Sequence, residues 1–296
     1  MQPATVETLA RRGAAVSMAL LDLDPKRAAA IRMLTAAGVP VTGWLILTET
    51  DGYWLNADNA DQALARWQAV HAWAETNALA LPTIGLDVEP PHDDTVALVR
   101  APVATAWRLL RRRRPLAQVA TAQAAYAHLR RAIAATGRQV EVYQVPLLAD
   151  ERAVGSRVLA RTLGLVDVAA DRTVWMLYRS ALPPPWGPGL VDAYGSGAHA
   201  IAVGITGGGV RSLEPAFATR ELDLAATLDE LRRAAQHCDD LYVFSLEGCV
   251  HRDNLAAICA ATVHERPTCT ALLATSLVQC GRAALRLGLR IADRMP

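Results

Sequence analysis

The stretch Thr83-Ile84-Gly85-Leu86-Asp87-Val88-Glu89-Pro90-Pro91 decides the fold. Its apolar residues read as a short strand, and a side-chain period of two puts Gly85, Asp87 and Glu89 on one face with Leu86 and Val88 on the other. Two consecutive prolines cannot continue a hydrogen-bonded ladder, so the strand must stop after Glu89 and leave both acids at its carboxyl end. In a parallel α/β barrel that end carries the chemistry. An isolated Asp-x-Glu reads equally well as a solvated strand terminus. The surroundings favour a site, because other strands of the chain also end in polar or acidic residues.

Working outward, six further segments read as strands. Ala14–Asp22 runs into Asp22 and Asp24. Val41–Thr48, rich in β-branched and large apolar residues, leads into the loop Glu49-Thr50-Asp51-Gly52-Tyr53-Trp54. Gln139–Pro146 carries Glu141, Tyr143 and Gln144, and Arg172–Arg179 and Ala198–Ile205 follow. Leu241–Gly248 is the last, with Glu247 at its end. Helical patterns separate them: Thr5–Arg12, Pro25–Ala37 stopped by Gly38, a helix capped by Asp58 or Asn59 and running to Leu79, the long region 94–135, then 150–163 and 223–237. Only helix follows Glu247.

This alternation implies parallel pairing through right-handed crossovers. A closed barrel of this kind has eight strands, and the chain opens on a helix, so the first strand is the one missing. The expected fold is therefore α/β, a (β/α)8-type TIM barrel lacking its first strand, with the Ala14 and Glu247 strands as sheet edges. At 296 residues the chain matches one such domain of about 250 residues, spanning 1–296 with a C-terminal helical region over 251–296.

Composition narrows the partners. With 52% hydrophobic and 20% charged residues the chain can fill a large core, and a net charge of +1 gives no reason to expect nucleic acid or an anionic membrane. The run Arg111-Arg112-Arg113-Arg114 precedes Pro115 and reads as a solvated helix end, where cations meet the negative end of the helix dipole. Cys238, Cys249, Cys259, Cys269 and Cys280 include no Cys-x-x-Cys pair and are odd in number, so reduced thiols are expected rather than a zinc site or a disulfide framework. Gly207-Gly208-Gly209 lacks the Lys-Ser/Thr of a P-loop and the spacing of a dinucleotide fingerprint, so no cofactor is expected. Met1–Arg12 lacks the apolar core of a signal peptide and no run of about eighteen apolar residues occurs, which points to the cytoplasm. The oligomeric state is not encoded in any of these features.

Gly85-Leu86-Asp87-Val88-Glu89 resembles the Asp-x-Glu motif that ends the fourth barrel strand of chitinase-like family 18 glycoside hydrolases. Met176-Leu177-Tyr178 resembles their Met-x-Tyr, on the strand that counts as sixth once a missing first is allowed for. The chain departs from the family at Arg179, where Asp is usual, and at Thr83-Ile84-Gly85, where a longer acidic run is usual. The resemblance implies a glycosidase in which Glu89 is the general acid, Asp87 orients the substrate's acetamido group and Tyr178 hydrogen-bonds the same intermediate. Independently of it, two carboxylates on one strand face stand about 7 Å apart and repel, so one pKa can rise enough to donate a proton near neutrality. Glu247 offers a second route, as nucleophile or base opposite Glu89.

Tyr53, Trp54 and Trp186, in loops, read either as stacking platforms for sugar rings or as loop anchors. Glu49, Gln144 and Arg179 complete the candidate substrate-binding set. Two other classes stay open. A metal-dependent phosphodiesterase barrel would gather Glu49, Asp87, Glu89 and Glu247 around a hard cation such as Mg²⁺, with His92 and His251 close behind acidic strand ends. A non-catalytic carbohydrate-binding barrel would use the same mouth without turnover.

Overall fold

The computed structural model describes residues 2–182, 184–208, 221–263 and 271–294. Gly209, His264 and Cys269 lie outside the described residues. All seven expected strands are present: β1 (Val16–Leu20), β2 (Val41–Leu45), β3 (Thr83–Val88), β4 (Gln139–Gln144), β5 (Arg172–Met176), β6 (Ala200–Gly204) and β7 (Asp240–Phe244). They follow chain order through one sheet, from β1 to β7. The β1·β2, β2·β3, β5·β6 and β6·β7 pairings are parallel.

The chain forms two compact units, Met1–Tyr143 with Leu159–Arg172, and Gln144–Val158 with Thr173–Pro296. The first contains α1 (Pro3–Arg11), α2 (Pro25–Ala36), α3 (Ala60–Thr76), α4 (His92–Arg100), α5 (Pro102–Arg111) and α6 (Leu116–Ala134). Asp24 caps α2 by accepting the Arg27 N–H at 2.7 Å, and Pro25 opens it. The helical region 94–135 is three helices, because Pro102 and Pro115 each remove a backbone donor and restart the chain. The core of this unit includes Leu20, Ile31, Leu34, Leu45, Ile84, Leu86, Leu129 and Ile133, none more than 1% exposed. Each stabilises the fold by about 1.5–3 kcal/mol relative to an exposed side chain.

The arginine run is not simply solvated. Arg108 and Arg112 reach the buried Asp94 at 3.0 and 2.9 Å. Arg114 is itself buried, forks onto Asp58 and donates to the Thr162 carbonyl at 3.1 Å. Asp58 is therefore an ion-pair partner and not a helix cap, and its pKa is held low by those hydrogen bonds from Arg114.

The second unit contains α7 (Leu147–Val154), α9 (Leu190–Tyr194), α10 (Leu224–Ala234), α11 (Leu246–His251), α12 (Leu255–Cys259) and α13 (Leu272–Asp293); α8 (Val158–Leu163) crosses from one unit to the other. The C-terminal helix α13 packs on α7, α9 and the turn Gly187–Gly189. Gly189 permits this approach, since a Cβ there would sit 2.3 Å from the Ala274 carbonyl carbon. Fully buried Asp150 anchors the contact by accepting from Arg282 at 3.0 Å, Arg286 at 2.7 Å and the Tyr194 hydroxyl. Among the described residues no helix is long and apolar enough to cross a membrane, and Cys238, Cys249, Cys259 and Cys280 are free thiols.

Candidate functional site

The site grows from the end of β3. Pro90 and Pro91 stop the strand, and Leu55 continues the ladder in parallel beside Val88. Its N–H donates to the Asp87 carbonyl at 2.9 Å, and its own carbonyl accepts the Glu89 N–H at 3.2 Å. The acids' backbone is thus fastened by a loop and not by another strand. That loop is held by Asn59, whose side chain accepts the Asn56 N–H at 2.8 Å and donates to the Trp54 carbonyl at 2.8 Å. Asn59 precedes α3 as expected, but its side chain serves the loop in place of a cap.

Beneath the acids lies a floor from four strands. Register sets Trp44 of β2 beside Gly85 of β3. The absent side chain of Gly85 makes room for Tyr143 of β4, whose Cε2 would be 2.7 Å from a Cβ there. The Tyr143 ring meets Trp44 edge-on at 5.9 Å, and its hydroxyl shares a 2.5 Å hydrogen bond with Ser17 of β1. None of Ser17, Trp44 and Tyr143 is among the site candidates read from the sequence, where Tyr143 enters only as part of its strand. A period of two assigns faces within each strand, but the pairing of Trp44 with Gly85 is set by register.

Asp87 is 2% exposed and Glu89 is half-buried. Burial raises the Asp87 pKa to about 7 against the opposing pull of its contacts with Glu89 and the Trp44 indole. Burial also lifts Glu89 well above the ordinary carboxylate range, and the Asp87 charge and a hydrogen bond to Asp87 push it further. Two carboxyl groups so placed cannot both ionise at neutrality, and the pair keeps a proton. Tyr53 belongs to the same electrostatic unit, its pKa raised to about 12 by burial first and then by Asp87, Glu49 and Glu89. His92, at the start of α4, packs against Tyr53 at 5.7 Å and Trp54 at 5.4 Å.

The other sequence candidates fare unequally. Glu49 lies exposed in a 3-10 turn and acts on Tyr53 only through its charge. Trp54 is 2% exposed, so it underpins His92 and offers no open face to a ring, which corrects the stacking reading in favour of the loop anchor. In the second unit Gln144 is fully buried and accepts from Arg152 at 2.7 Å. Tyr178 follows β5, half-buried, with its ring 5.8 Å from Phe244. Arg179 pairs at 3.6 Å with buried Glu230, whose pKa burial raises to about 8. Trp186 is 36% exposed and borders Gly281 of α13. Glu247 is a correction. The strand ends at Phe244, Ser245 caps α11 by accepting the Gly248 N–H, and Glu247 sits exposed in that helix's first turn. A hydroxyl cap competes with strand continuation at Ser245, and apolar patterning across Leu241–Leu246 hides that boundary.

No protein-family model matches the chain, and no curated protein matches its sequence. Solved structures do resemble it. The glycoside hydrolase domain of PgaB (BpsB) from Bordetella bronchiseptica is 9% identical, with 87% of this chain and 91% of that one covered and a TM-score of 0.52. A D-allulose 3-epimerase from Methylomonas sp. is 14% identical over 96% of this chain and 93% of that one, with a TM-score of 0.43. A sugar phosphate isomerase/epimerase from Parabacteroides distasonis is 10% identical over 88% and 86%, with a TM-score of 0.44. At such identities the likeness is one of fold. Seven strands in chain order with helices between them make this a chain of the TIM-barrel type.

Proposed function

We propose that this chain acts on a carbohydrate as a glycoside hydrolase, with Asp87 and Glu89 as the proton-holding acid pair. One observation carries the reading: two carboxyl groups at one strand end, desolvated and mutually repelling, so that the pair holds on to a proton that Glu89 can donate. Glu89 would donate that proton to the glycosidic oxygen as the bond to the anomeric carbon breaks. Asp87, buried beside it, would orient the substrate group that faces the developing positive charge, as the family 18 resemblance implies. Tyr53 would stay a neutral hydrogen-bond donor at every physiological pH. The fold likeness to a glycoside hydrolase domain supports the same reading.

The test is reducing-end release from a panel of neutral, acidic and N-acetylated oligosaccharides by wild type and Glu89→Gln. The variant should lose about 10²- to 10⁴-fold in turnover while retaining oligosaccharide binding by calorimetry. Binding without cleavage in the wild type would leave the non-catalytic carbohydrate-binding reading. Neither binding nor cleavage would end the carbohydrate proposal.

A further inference from the structure

Away from the acid pair, the outer face of α5 is the feature that folding explains least. Val103, Trp107 and Leu110 recur at i, i+4 and i+7, which places them on one stripe of the helix. They are 71%, 61% and 38% exposed, while Thr105 and Leu109 on the inner face are buried. Exposed Leu116 at the start of α6 adds to the apolar surface.

Charge distinguishes this face from an ordinary apolar patch. Between Asp94 and Glu141 the chain carries nine arginines and no acid. Five of the nine are held by carboxylates: Arg108 and Arg112 by Asp94, Arg114 by Asp58, Arg130 by Asp171 and Arg138 by Glu75. Arg100 and Arg111 are exposed and pair with no carboxylate among the described residues. Arg111 follows Trp107 by one helical turn, and Arg100 precedes Val103 by three residues. The opposing charge nearby is Asp93, which lines the hollow between α4 and α5 together with Arg100.

We propose that this face of α5 docks on an anionic membrane surface. The helix would lie in the plane of the interface, with Val103, Trp107 and Leu110 at the acyl boundary and Arg100 and Arg111 among headgroup phosphates. A tryptophan ring, apolar with one N–H, is suited to that depth. Nucleic acid would engage the arginines but leave the three apolar side chains in water. With so few inserted groups the association is peripheral and reversible.

Co-sedimentation of the full chain with vesicles tests this, using phosphatidylcholine alone or mixed with phosphatidylglycerol, at low and high salt. The chain should bind the mixed vesicles, not the neutral ones, and release at high salt. Trp107→Ala should weaken binding at least about tenfold, and Arg100→Gln and Arg111→Gln about fivefold each. All three positions are exposed, so an unchanged circular dichroism spectrum should accompany the loss. No binding to mixed vesicles overturns the proposal. So does binding that Trp107→Ala leaves unchanged, which would mark non-specific attraction to polyanions. Self-association abolished by Trp107→Ala, without vesicle binding, would assign the face to a second copy of this chain and also overturn it.

Discussion

Asp87→Asn should stabilise the fold while removing activity, and the stabilisation should depend on pH. In the unfolded chain Asp87 titrates near 3.9, about the usual aspartate value; in the folded chain burial moves it to about 7. Between those values the folded state binds the extra proton, so stability falls as pH rises across this window. One pKa unit corresponds to about 1.36 kcal/mol, which makes the full difference about 4 kcal/mol as a ceiling above neutrality. Asn is a near isostere of the protonated acid: its oxygen can still accept from Trp44 and its amide can donate to Glu89. Below pH 4 the variant and wild type should therefore unfold at about the same urea concentration. At pH 8 the variant should be more stable by about 2–4 kcal/mol, since losing Asp87 also relieves the charge that raises Glu89. Urea titrations at pH 4, 6 and 8 measure the difference. Parallel stability profiles, or a variant weaker than wild type at pH 8, would refute a buried, repelling acid pair.

Other outcomes follow from packing. Gly85→Ala puts a Cβ 2.7 Å from the Tyr143 ring, and overpacking of this kind should cost about 1–3 kcal/mol in urea unfolding; an unchanged midpoint would mean that Tyr143 is not pinned by Ser17 and Trp44. Asp150→Ala leaves Arg282 and Arg286 without their buried carboxylate and should cost about 3 kcal/mol, with faster hydrogen exchange in α13; unchanged exchange there would show that α13 is held by its apolar face alone. Because β1 opens the strand order, its amides over Val16–Leu20 should exchange faster than those of Ile84–Val88, and equal protection would contradict an unpaired edge at β1.

The strands were legible in the sequence because each is a local event: a run of β-branched and apolar residues bounded by Gly, Pro or charge, with a period that does not depend on its neighbours. The same is true of the acids at the end of β3, where Pro90 and Pro91 allow no other ending. What the tertiary structure alone decided is which non-adjacent residues meet. Trp44, Tyr143 and Ser17 form the floor of the site only because register aligns β2 with Gly85 and because glycine leaves a gap that a ring from β4 enters. Trp54 and Tyr53 are neighbours in the chain, yet one is almost fully buried and the other, half-buried, feels the charge of Asp87 and Glu89, a difference invisible to composition. Glu247 looked like a strand end because an apolar run cannot show where a serine turns it into a helix. The arginine run looked solvated because its partners, Asp94 and Asp58, lie 18 and 56 residues back along the chain. Periodicity reports a residue's own element; burial, pairing and pKa belong to contacts between elements, and those exist only once the chain has folded.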